Sequence, residues 1–82
     1  MPEPSVPEAV ARFLADEVGY RKPVAADVSL FDQRIVDSIA VVSLAAFLEE
    51  TFAIELEFLD MVRENFETVN AISTLVQRKR AG

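Results

Sequence analysis

The side chains with most chemistry to offer meet in "IVDSIAVVSL", Ile35 to Leu44, where Asp37 and Ser38 precede a run in which Ser43 is the sole polar residue between Ile39 and Leu48. A carboxylate beside a hydroxyl admits three uses: base-assisted nucleophilic attack, capping of a helix start, or acceptance of a group grafted onto the serine by another catalyst. The first lacks its partners. The chain has no His and no Cys, so Ser5, Ser29, Ser38, Ser43 and Ser73 have no imidazole to take their proton, and cysteine nucleophiles, disulfides and thiolate zinc sites are excluded as well. Carboxylate-only hydrolysis would need a pocket that the pattern does not place. No catalytic residues and no metal ligands are therefore expected, and any reactive group must be attached to the protein.

The elements around the pair can be read from spacing. Ser5 and Glu8 have the separation of a capping box, with Pro7 tolerated in the first turn, so a helix should begin near Val6. Val6, Val10, Phe13, Leu14 and Val18 form its apolar stripe, and Gly19 ends it. Tyr20 to Asp37 is too long for an idle connection, and Val24, Val28, Leu30 and Phe31 should tie it to a helical core. A second helix is expected from Ser38, as N-cap, to about Thr51, with Val42, Ala45, Leu48 and Phe52 as its core face. Its other apolar residues, Ile39, Val41, Leu44, Ala46 and Phe47, spread round the cylinder, which makes this helix central or adhesive.

"FAIELEF" alternates as a strand would, but no second strand is available to pair with it. Ile54 and Leu56 are accordingly read as core plugs in a connector, and Phe58 to Arg63 as a short third helix. Thr68 should cap a last helix whose Val69, Ile72, Leu75 and Val76 lie over Phe66, and Arg78, Lys79 and Arg80 complement the dipole at its end. The expected fold is all-α: a small bundle of three main helices plus one short helix, with a long ordered loop between helices 1 and 2. It should form a single domain over residues 1–82, with an ordered core from about 6 to 78.

Composition narrows the partners. At 82 residues and 51% hydrophobic content the chain can bury one core, while 14 acidic against 8 basic residues give a net charge of −6. That balance disfavours nucleic acid and anionic membrane; it suits partners that present Lys and Arg, although solubility accounts for it equally well. "MPEPSVPEAV" has neither a basic nor an apolar segment of a secretory signal, and no apolar run approaches the ~20 residues of a membrane span. A cytoplasmic monomer is expected.

Taken in order, these segments resemble an acyl carrier protein of the acyl and peptidyl carrier superfamily. "VDSI" is similar to the Asp-Ser-Leu signature around the serine that receives 4'-phosphopantetheine, with Ile39 in place of leucine; "FLEETFAIEL" and "ENFETVNAISTLV" resemble later family segments. The similarity runs from about Val6 to Val76. It implies a carrier and not an enzyme. Ser38 would receive the covalent arm from coenzyme A, through a phosphopantetheinyl transferase and a metal ion, and Asp37 would help position transferase and metal. The absence of cysteine is then understandable, because the thiol that holds cargo as a thioester comes with the cofactor.

The resemblance also assigns partner contacts to Ile39, Val42 and Ala46, and to the acidic Glu49 and Glu50, although Val42 could equally be core and the two glutamates solvated. Implied partners are the transferase, an acyl-loading or adenylating enzyme, and a downstream synthase or transferase. Two departures stand out. The glycine often found three or four places before the serine is replaced by Ile35 and Arg34, and Ala40 and Ser43 stand where fatty-acid carriers tend to be acidic. The first puts the local turn in question; the second points away from housekeeping fatty acid synthesis, toward stand-alone carriers served by adenylating enzymes or used in polyketide and nonribosomal peptide pathways, including D-alanyl carriers. The competing expectation is a helical protein-interaction module in which Asp37 and Ser38 only cap a helix.

Overall fold

The computed structural model describes residues 4–81; residues 1–3 and 82 of the expected single domain lie outside the described residues. The elements are α1 (Val6–Phe13), α2 (Ser38–Phe52), α3 (Arg63–Phe66) and α4 (Val69–Ala81), with a 3₁₀ turn at Phe58–Asp60. The fold is all-α, with α1 packed on α2 and α4, α2 on α4, and α3 folded against α4.

Local chemistry sets the helix boundaries. Ser5 Oγ accepts the Glu8 N–H at 3.2 Å and donates to Glu8 Oε1 at 3.0 Å, which satisfies one orphan donor of α1. Thr68 Oγ1 accepts from the Ala71 N–H at 3.0 Å and starts α4 in the same way. α1 does not run straight into Gly19. A π-helical segment at Leu14–Val18 continues it, and Gly19 closes this segment at φ 81 with its N–H on the Leu14 carbonyl. The widened turn rotates its last residues off the apolar stripe: Leu14 is 1% exposed but Val18, expected on the same stripe, is 37% exposed.

Leu44, Leu48, Phe66, Ile72 and Leu30 are sealed in the core with Phe13 and Leu14. Each such side chain contributes about 1.5–3 kcal/mol of burial. Leu30 comes from the long loop, and its N–H donates to the Glu67 carbonyl at 2.7 Å, while the Asn70 N–H donates to Ala26 O at 3.0 Å. Arg63 stacks over Phe31 at 4.8 Å and pairs with Asp32 and Glu67. The loop is thus fastened to the α3–α4 corner. The Cα radius of gyration of 11.6 Å agrees with the ~11.7 Å of a compact chain of this length, so the loop adds no protrusion.

The short helix lies later than expected. Phe58–Asp60 forms only a 3₁₀ turn; Met61 (φ −85, ψ 58) and Val62 (φ −116, ψ 150) leave helical space, and α3 begins at Arg63. Asp60 is tied down at the break. Its carboxylate accepts the Glu57 N–H at 2.8 Å and pairs with Lys79, while Asn65 Nδ2 donates to its carbonyl at 2.8 Å. Those bonds lock one tight turn, after which the chain leaves helical space.

Candidate functional site

Everything that positions Ser38 converges on the first turn of α2. The Ile35 and Val36 N–H groups both donate to the Leu30 carbonyl, at 2.9 and 3.2 Å, so the last loop residues are anchored from the core outward. Arg34 occupies the tight bend at φ 57, in left-handed backbone that glycine adopts more readily. The turn that the missing glycine placed in question is therefore formed, with Arg34 under strain. Ile35 and Val36 are buried and hold the bend in place.

Asp37, extended at φ −125 and ψ −175, is the residue that caps α2: its Oδ1 accepts the Ala40 N–H at 2.8 Å and its carbonyl accepts the Val41 N–H at 3.0 Å. Ser38 is the first helical residue and not the N-cap that its residue type suggested. The correction has a steric basis. A cap must be extended so that its side chain can reach back over the first turn, and Ile35 and Val36, docked in the core, deliver Asp37 and not Ser38 into that conformation. Ser38 is exposed, its Oγ is not used by the cap, and its own N–H and that of Ile39 lie at a helix start where intrahelical acceptors run out.

Two grooves flank this turn. One, of about 350 Å³, brings Ser38 and Val42 together with Phe31, Met61, Val62 and Arg63. The other, of about 420 Å³, lies on the α1 side and takes in Asp37 and Ile39 with Glu17, Val18 and Arg34. Ile39 is 79% and Val42 63% exposed. Val42 is therefore absent from the core face predicted for it, and Leu44 takes its place beside Ala45, Leu48 and Phe52. A helix apolar on every side gives no single stripe to read, and the burial had to be decided by α1 and α4.

Ala46 and Glu50 are exposed and share a shallow groove with Phe13 and Phe47, farther along α2. Glu49 is engaged differently. Its Oε2 accepts the Leu56 N–H at 2.9 Å and staples the connector to the end of α2, while Ala53 (φ 54) caps the helix through the Glu49 carbonyl. Met61, Val62 and Arg63 had no sequence signal as neighbours of Ser38, because only the break after Asp60 swings them toward it. Among the described residues no cluster of three or more acidic, His or Cys side chains could hold a metal ion, and no helix is long and apolar enough to cross a membrane.

Residues 8–76, which include Asp37, Ser38 and both flanking grooves, match the family described as "Phosphopantetheine attachment site". The D-alanyl carrier protein of Lactococcus lactis subsp. lactis (strain IL1403) is 39% identical over 54 residues, covering 66% of this chain and 68% of that protein. The D-alanyl carrier protein of Lactococcus lactis subsp. cremoris (strain MG1363) is 40% identical over 53 residues, covering 65% and 67%.

Proposed function

The chain belongs to the phosphopantetheine-attachment family of acyl and peptidyl carriers, and from that premise we propose that Ser38 is the hydroxyl that bears the arm. It is a carrier protein with covalent 4'-phosphopantetheine as its cofactor, which removes the ground for a cap-only interaction module. The observation that carries the assignment to Ser38 is its division of labour with Asp37: the cap is supplied by the aspartate, and the serine stands exposed at the first helical position. The residues present suit the group. A phosphodiester on Ser38 would lie against free N–H groups and the positive end of the α2 dipole. One Asp37 oxygen is held by Ala40, and the other is the group offered to the metal of a transferase.

When attached, the cofactor supplies the thiol that this cysteine-free chain lacks, so that cargo is held as a thioester. In the attachment step the Ser38 oxygen forms a bond to the phosphorus that bears pantetheine. The pyrophosphate bond of coenzyme A breaks, 3',5'-ADP departs with the bridging oxygen, and the serine proton passes to a base of the transferase.

The cargo is a small aminoacyl group loaded by an adenylating enzyme and handed to a downstream transferase or synthase, in a specialised pathway and not housekeeping fatty acid synthesis. The D-alanyl carriers among its relatives support this reading, as do Ala40 and Ser43 at places where fatty-acid carriers tend to be acidic. The assay is direct. Protein incubated with coenzyme A, Mg²⁺ and a permissive phosphopantetheinyl transferase should gain one phosphopantetheine by intact mass, and Ser38→Ala should gain none. Wild type left unmodified by several transferases contradicts the assignment. Addition of ATP, D-alanine and a D-alanine-adenylating enzyme to the modified protein then reads the cargo class.

A further inference from the structure

The most exposed large apolar side chains in the described protein are on neither α1 nor α4 but on the 3₁₀ turn, where Phe58 is 90% and Leu59 80% exposed. Their backbone is the opposite of loose. The Met61 N–H donates to the Phe58 carbonyl at 3.1 Å and the Asp60 N–H to that of Glu57 at 2.9 Å. Asp60 is further held by Lys79, the Glu57 N–H and Asn65. The Glu57 and Phe58 carbonyls and the Asp60 carboxylate and carbonyl are bonded within the chain while the two bulky apolar side chains are held out in water. A rigid apolar pair of this kind is prepared for contact, because little ordering cost remains when a partner covers it.

Position and charge select the partner. Met61 lines the groove beside Ser38, and chain geometry places the Phe58 Cα within about 11 Å of the Met61 Cα. A standard protein contact buries about 800 Å² per side, a patch of roughly 16 Å radius. An enzyme that must bring the Ser38 hydroxyl itself into its active site covers surface close enough to reach this turn, whereas one that works at the distal end of a flexible arm need not. From Glu49 to Glu64 the chain carries six carboxylates, and they still outnumber cations when Arg63, Arg78 and Lys79 are counted against them. Anionic membrane and a second copy of this surface are both repelled by that negative excess.

We infer that Phe58 and Leu59 form an anchor for the phosphopantetheinyl transferase, which receives them in an apolar socket rimmed by Lys or Arg. This rests on Ser38 being the attachment site, and the experiment separates the two claims. Steady-state modification by a permissive transferase is measured against carrier concentration for wild type, Phe58→Ser/Leu59→Ser and Phe58→Leu/Leu59→Met. The serine pair should raise KM roughly ten- to thirtyfold, the scale of one aromatic anchor, with kcat within about twofold. The Leu/Met pair should recover most of the loss. Both variants should melt with wild type, since the changed side chains are solvated. Normal modification of wild type with an unchanged KM in the serine pair overturns the anchor alone; wild type that is never modified overturns the Ser38 reading and the anchor with it. Cosedimentation of wild type with phosphatidylcholine/phosphatidylglycerol vesicles, lost in the serine pair, would assign the turn to a lipid surface and also overturn the anchor.

Discussion

Leu44 and Leu48 on one side of α2 are sealed from water, whereas Ile39 and Val42 on the other stand 79% and 63% exposed. The two faces carry the same kind of side chain on one helix, so composition cannot explain their different use. The inner face meets α1 and α4 and supplies stability; the outer face stays largely open to solvent, lines the two grooves and borders Ser38. The contrast teaches that apolar content near a modification site need not serve the fold. It also predicts that the two faces respond to mutation in separate observables.

The largest effect is expected on the inner face. Leu48→Ala should cost about 2–5 kcal/mol in chemical denaturation, as cavity-forming core truncations do, while any folded fraction remains a substrate for the transferase. A loss below about 1 kcal/mol would mean that the two faces are not energetically distinct. At the boundary between them, Asp37→Ala should cost about 0.5–2 kcal/mol through the lost cap. Asp37→Ser keeps a capping oxygen, so it should hold most of that stability and yet be modified slowly, which separates the cap from the proposed role toward the transferase. Equal rates for Asp37→Ser and wild type would leave Asp37 as a cap only.

Smaller effects sharpen the picture. Arg34→Gly and Ala53→Gly each relieve left-handed backbone at φ 57 and φ 54, and should stabilise by up to about 1 kcal/mol in thermal melts. The connector adds an acid-sensitive clamp. The hydrogen bond from Lys79, aided by the Glu57 N–H and the nearby cation charges, holds the Asp60 carboxyl below its ordinary value of 3.8. A depressed pKa contributes stability that is present above the unfolded value and lost as pH falls through the folded one. Wild type should therefore lose stability below about pH 4 more steeply than Asp60→Asn, and parallel pH profiles would argue against the clamp. The smallest change in stability belongs to the outer face: Ile39→Ser and Val42→Ser should stay within about 0.5 kcal/mol of wild type while lowering kcat/KM for modification.

Much of this was legible in the sequence where a local rule had no competitor. Ser5, Thr68 and Gly19 mark helix ends because their side chain or backbone freedom acts within a few residues, and the Val69, Ile72, Leu75 and Val76 stripe falls on one clear face. Legibility failed where tertiary packing arbitrated. Val42 and Leu44 are equivalent by residue type, and only the placement of α1 and α4 decides which is buried. Asp37 displaced Ser38 as the cap because the buried Ile35 and Val36 fix the phase of the chain. The groove residues Met61, Val62 and Arg63 were invisible for a related reason, since a bond between Asp60 and the distant Lys79 shapes the turn that brings them to Ser38.

Five serine hydroxyls are present in the chain, and one of them is proposed to carry the arm. Fragmentation mass spectrometry of the transferase-modified protein locates the added group among Ser5, Ser29, Ser38, Ser43 and Ser73. Phosphopantetheine is expected on the peptide containing Ser38, with the fragment series breaking at that residue. Modification at any other serine, or persistence of the added group in Ser38→Ala, would contradict the Ser38 assignment.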